Sequence, residues 1–164
     1  MELTQDFIDR DYAQRRRGIH VADTANLARV TRLAAYLERS LAEIGANAGL
    51  KTAQFQVLAE LRSRDPMAMT VSDLARAVIL TSGAMTPLLD QLDERGLIHR
   101  QIDPEDRRAR RITITEKGRS LITRALDQQV VRHRSLNSVL TLEEREALSN
   151  ILRKLLIAVE GEAA

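Results

Sequence analysis

Cysteine is absent from the 164 residues. That absence excludes disulfides, thiolate metal sites, cysteine nucleophiles and thiol-based redox sensing together. Tryptophan is absent as well and aromatics make up 2% of the chain, so the core has to be built from aliphatic side chains. No apolar run approaches the roughly 20 residues that a membrane span needs. Met1-Glu2-Leu3-Thr4-Gln5-Asp6 lacks the basic-then-apolar pattern of a secretory signal. The expectation is therefore a cytoplasmic chain with no membrane partner. There is no glycine-rich phosphate loop, no Gly-x-Ser-x-Gly elbow and no His-Glu-x-x-His motif. His20, His99 and His133 are too far apart in sequence to suggest a zinc site. These gaps argue against an enzyme and leave no cofactor and no metal to expect.

Charge of one sign is also nearly lacking, the net value being +2. Its distribution is more telling. Arginines bunch at Arg15-Arg16-Arg17 and again at Arg107, Arg108, Arg110 and Arg111. A basic cluster on a near-neutral chain suggests a directed anionic contact, against the plainer alternative of solvated surface charge.

Abundant leucine, alanine, arginine and glutamate favour helices. Residues 1–22 read as an arm or short helix. From Asp23 or Thr24, either a possible cap, Val30, Leu33, Leu37, Leu41 and Ile44 form one apolar stripe, and Gly45 and Gly49 loosen its end. A second helix spans about Thr52 to Ser63 with Phe55, Leu58 and Leu61 inward, and Asp65-Pro66 stops it. Thr70 stands three residues before Asp73 as the cap of a short helix through Ala77. A further helix starts near Thr81 or Ser82 and ends at Arg95-Gly96. Leu97 to Ile102 and Arg110 to Thr115 are β-prone, with a charged turn between them, so they predict a hairpin. Helices carrying Leu121, Ile122, Leu126 and Val130, and then Leu148, Ile151, Leu152, Leu155, Leu156 and Val159, close the chain. Thr141-Leu142-Glu143-Glu144 is a capping box for the last of these.

Helix, short helix, sharp turn, second helix, charged hairpin is the order of a winged helix-turn-helix. In the helix from Thr81 to Arg95, Met85, Leu89 and Leu92 face inward. Thr81, Ser82, Gly83, Ala84 and Thr86 form a small, polar leading end whose amides and dipole favour phosphate. Asp90, Asp93 and Glu94 fall in the second half, to be held off a DNA backbone. The alternative is an ordinary surface helix with Ser and Thr as caps. The hairpin tilts the balance, because Arg107, Arg108 and Arg110 at its tip would reach phosphates or a minor groove. Asp106 would hold one neighbouring arginine in place.

Val71-Ser72-Asp73-Leu74-Ala75, Ser82-Gly83-Ala84-Met85-Thr86, and Leu89 through Gly96-Leu97-Ile98 follow a pattern common in one family. So does Asp103-Pro104-Glu105-Asp106-Arg107-Arg108, running on through Ile112-Thr113-Ile114-Thr115 to Gly118. In these motifs, over roughly residues 52–118, the chain resembles the MarR family of transcriptional regulators. The resemblance implies a mainly α fold with a small β-hairpin wing, a winged helix-turn-helix whose N- and C-terminal helices dimerise. It implies a homodimer on a pseudo-palindromic double-stranded DNA operator, acting as a repressor released by a small anionic or aromatic effector. Major-groove contacts would fall on Ser82 and Thr86, with Thr81, Gly83 and Pro87 alongside. The wing contact would be Arg108, supported by Asp106, and Thr70 and Ser72 would touch phosphate. The corresponding division is residues 1–48 as arm and dimerisation helix, 52–118 as winged domain, and 119–164 as C-terminal dimerisation helices.

The chain departs from that pattern where many relatives carry a polar residue and then an arginine. Here those positions are Pro87 and Leu88. Proline cannot bond the Gly83 carbonyl, so the helix is expected to kink or to start effectively at Thr86. The departure keeps a rival alive, a winged-helix dimer serving as a protein-interaction module whose DNA reading has degenerated. Arg15, Arg16, Arg17 and His20 read as a solvated arm rather than an effector site, and effector-binding residues are unassigned.

Overall fold

The structure, a computed structural model, describes residues 21–103 and 109–162. Helix α1 (Val21–Asn47) is already formed at its first described residue. Asp23 and Thr24 therefore lie within it rather than capping it; a cap-type residue flanked by alanine is a weak stop. Its C-terminal end packs inward through Leu41 and Ile44. Leu27, Val30, Leu33, Tyr36 and Leu37 remain exposed.

Helix α2 (Thr52–Arg64) buries Phe55, Val57, Leu58 and Leu61. Two residues of strand, β1 (Met69–Thr70), lead directly into α3 (Val71–Ala77). Helix α4 (Ser82–Glu94) follows after four residues, the last of them its cap Thr81, then strands β2 (Ile98–Ile102) and β3 (Arg110–Ile114). Helices α5 (Glu116–Asn137) and α6 (Leu142–Glu162) complete the chain. The expected two-stranded wing is a three-stranded antiparallel sheet in the order β1-β3-β2. Met69 pairs with Ile112 and Thr70 with Arg111, whereas Ile98 to Ile102 pair with Ile114 back to Arg110. Two residues are too few to carry an alternating pattern, which is why β1 left no mark in the sequence.

Three helices end alike. Leu50 N–H bonds the Gly45 carbonyl, Leu80 bonds Ala75 and Leu97 bonds Leu92, at 2.8, 2.8 and 2.9 Å. This closure puts the preceding residue in the left-handed region, which suits glycine. Gly49 and Gly96 occupy two of these positions, but Ile79, at φ 56°, occupies the third.

The core is a single cluster in which Leu58 and Leu61 of α2, Leu74 of α3, Met85, Leu89 and Leu92 of α4, Ile98, Ile112 and Ile122 meet. Gly118 lets α5 approach β2, since a Cβ there would sit 2.1 Å from the Leu97 carbonyl oxygen. Polar ties set the helix ends: Arg119 Nε donates to Asp65 Oδ2 at 2.7 Å, which pushes the guanidinium pKa further up. Arg132 donates to Glu43 and Ser40 across α5 and α1. Helix α6 carries its expected capping box, with Thr141 N–H donating to Glu144 Oε2 at 2.8 Å and Glu144 N–H to Thr141 Oγ1 at 3.2 Å. Yet Leu148, Ile151, Leu155, Leu156, Ile157 and Val159 of that helix are all exposed. No described helix is long and apolar enough to cross a membrane.

Candidate nucleic-acid interface

Helices α3 and α4 are joined by the tight Val78-Ile79-Leu80 turn, and α4 presents its N-terminal half outward. Thr81 is its N-cap, with Oγ1 accepting from Ala84 N–H at 3.3 Å. The hydroxyl proton is left to donate outward, which suits a phosphate or base edge. Gly83, Ala84, Thr86 and Pro87 are exposed, while Met85, Leu89 and Leu92 are buried. A Cβ on Gly83 would meet nothing within 4 Å, so packing within the chain does not demand glycine there. Ser82 opens the helix as expected.

Pro87 lies inside α4, and the helix still begins at Ser82. The expected shift of its start to Thr86 does not occur, because the Thr81 cap and the Met85 N–H to Thr81 carbonyl bond of 3.1 Å hold the first turn. Gly83 alone loses its i+4 amide donor. Leu88 is half-buried against the core, so it is a packing residue rather than one offered to a base.

Thr70 caps α3 through Asp73, as expected. Its Oγ1 accepts from Asp73 N–H at 3.1 Å and donates its only proton to Asp73 Oδ2 at 2.7 Å. A hydroxyl so committed has no proton for a phosphate. Ser72, in the first turn of α3, is exposed.

At the wing, Arg110 is exposed at the start of β3, opposite Ile102. Asp106, Arg107 and Arg108 lie outside the described residues. The carboxylate that sequence reasoning missed is Asp103. It is buried, receives Arg111 Nε on Oδ2 at 2.6 Å, and donates its own N–H to the Ala109 carbonyl at 3.2 Å. The base of the wing is thereby closed. The Asp-Pro pair at Asp103 was legible as a turn signal, but its burial depended on Arg111 coming back across the hairpin.

The acidic half of α4 is also tied down. Arg100 of β2 reaches Asp90 at 2.7 Å and Asp93 at 3.5 Å. Lys117 Nζ donates to the Arg95 carbonyl at 2.6 Å, Arg95 Nη1 to the Gly49 carbonyl at 2.9 Å, and Thr115 Oγ1 to the Gly96 carbonyl at 2.8 Å. These bonds anchor the C-terminal half of α4 against its neighbours.

A helix-turn-helix followed by an antiparallel wing defines the class: a winged-helix domain. Residues 50–109 match the family model described as MarR family. The chain is 29% identical over 124 residues to the HTH-type transcriptional regulator PecS of Dickeya dadantii, a match covering 75% of each chain. It is 34% identical over 106 residues to an HTH-type transcriptional regulator of Bacillus cereus strain ZK / E33L, covering 64% of this chain and 69% of that one. Among solved structures it is similar to the transcriptional repressor CouR bound to a 23-mer DNA duplex. That match has 28% identity and a TM-score of 0.68, over 77% of this chain and 89% of that one. The chain belongs to the MarR family of transcriptional regulators.

Proposed function

We propose that the chain forms a homodimer that binds double-stranded DNA sequence-specifically. The N-terminal half of α4 enters the major groove, and the β2–β3 wing lies on the backbone or minor groove. The observation that carries this reading is the grading of α4 itself. Its leading end exposes Thr81, Gly83, Thr86 and Pro87 without an acidic side chain, while Asp90 and Asp93 are drawn onto Arg100. Such a helix offers free amides and a positive dipole end to the anion and keeps its carboxylates back. Ser72 on α3 and Arg110 on β3 flank it as phosphate contacts, and CouR, a relative in fold and sequence, is bound to DNA in its structure.

The exposed faces of α1, α5 and α6 supply the dimer contact, and with it the two-fold symmetry that paired half-sites require. The regulator acts as a repressor released by a small molecule. A cleft of about 400 Å³ between α1, α2, the α3–α4 turn and α5 is lined by Leu41, Phe55 and Val78 together with Gln56, Glu60 and Gln129. Its position between the dimer helices and the reading head suits an apolar or aromatic effector that shifts their relative placement.

A salt-titrated binding measurement with the full chain, on its own upstream intergenic DNA and on unrelated DNA, tests the reading. Sequence-preferring binding is expected, with log K falling linearly in log salt at a slope of about −0.9 per phosphate neutralised. Binding no tighter than to the unrelated DNA, with a protein partner captured instead, would favour the interaction module. Leu88 packed inward removes half of the argument for that rival.

A further inference from the structure

Arg100 sits at the centre of β2, on the same side of the strand as buried Ile98. Its side chain is 26% exposed and points at α4, with Nη2 2.7 Å from Asp90 Oδ1 and Nε 3.5 Å from Asp93 Oδ2. The two aspartates are one helical turn apart, so a single guanidinium spans them. Both nitrogens are buried, and neither makes an aligned hydrogen bond.

This is an inefficient way to add stability. Desolvating a guanidinium offsets most of what an ion pair returns, and an apolar residue of similar volume often serves as well or better. A position beside Ile98, facing a helix, is one where methionine or leucine would simply extend the core. What the charge adds is direction, since only one relative placement of α4 and β2 brings both carboxylates to one guanidinium. Other polar ties of α4 lie at its C-terminal end, through Arg95, or reach α2 through Gln91 and Gln54. Among the described residues, the ion pairs linking α4 to the wing strands run through Arg100.

We infer that Arg100 is a positioning residue. It locks the groove-reading helix to the wing, so that the two elements meet DNA as one rigid reader rather than as two tethered ones. The inference rests on the DNA-binding reading above, and its first test needs no DNA.

The chain has no cysteine, so Ala84→Cys with Gln101→Cys, both at exposed positions, allows two spin labels to be placed on one protomer, with an excess of unlabelled chain mixed in so that the distance is read within a single chain. A narrow distance distribution is expected with Arg100 present. Arg100→Met and the pair Asp90→Asn with Asp93→Asn should each broaden or shift it while the melting transition stays cooperative. An unchanged distribution in both would overturn the inference. Should Arg100→Met fail to fold, the aspartate pair still decides the question.

The second test is affinity. Arg110→Ala should weaken DNA binding severalfold and reduce the salt slope by about one when Arg100 is present, and distinctly less when Arg100→Met has already displaced the wing. Equal losses in the two backgrounds would show independent contacts and overturn the coupling. The aspartate pair separates positioning from mere neutralisation: positioning predicts weaker binding, whereas neutralisation alone predicts tighter binding and a narrow distribution. If the unaltered protein binds no DNA, the functional reading fails, and the label distances still report whether Arg100 holds helix to wing.

Discussion

Gly118 and Ile79 both occupy places where backbone geometry restricts the side chain, and the sequence meets the restriction in one and not in the other. At Gly118 a methyl group would overlap the Leu97 carbonyl, 2.1 Å from the built Cβ. The overlapped atom is backbone rather than the end of a flexible side chain, so it cannot swing aside. Gly118→Ala should therefore cost at least about 1–3 kcal/mol, read as a lower denaturant midpoint with an unchanged slope. Ile79 is the reverse. A β-branched residue at φ 56° in a helix-ending position that favours glycine costs roughly 1–2 kcal/mol, and its side chain is 92% exposed, so almost no burial offsets that. Ile79→Gly should raise the melting temperature, a relief of about 1 kcal/mol; a lower melting temperature would mean that the isoleucine is covered in the assembled protein. The sequence showed Gly118 only as part of a family pattern and gave no warning of Ile79. Steric demands of this kind arise from which backbone comes close, not from the residue itself.

Helix α4 was largely legible as an element: its limits, its Thr81 cap, its inward Met85, Leu89 and Leu92, and its glycine stop at Gly96 all follow from local chemistry. Its proline was the misjudged part. Pro87 removes one intrahelical bond but does not move the start of the helix, because the cap and the first-turn bond hold independently of it. Pro87→Ala should restore the bond to the Gly83 carbonyl and raise stability by up to about 3 kcal/mol, observed as a higher melting temperature. Replacing Leu88 by arginine, to resemble the wider family, would instead set a charge against the core that Leu88 packs on. The β-hairpin was equally legible. β1 was not, because it is only two residues long and exists only where β3 offers it an edge.

At the scale of the molecule, the unpaired apolar surface is the dominant fact. Helix α6 is capped and regular, yet its leucines and isoleucines face outward, as do Val130, Val131 and Leu136 on α5 and the forward half of α1. An apolar surface of that extent on one chain marks an interface. Ending the chain before Thr141 should abolish the proposed homodimer, with sedimentation equilibrium giving monomer or aggregate; a soluble, stable truncated dimer would contradict the proposed role of α6 in dimerisation. The amino-acid sequence by itself determined the order of elements, the caps and stops, the inward faces of α2 to α4, and the small, non-acidic leading end of the reading helix. These are properties of short windows, set by propensity, capping and periodicity. Only the tertiary structure decided that Leu88 packs inward, that Asp103 is buried against Arg111, and that Arg100 joins the reading helix to the wing. Each of those depends on groups brought together from separate elements, and no local pattern encodes that.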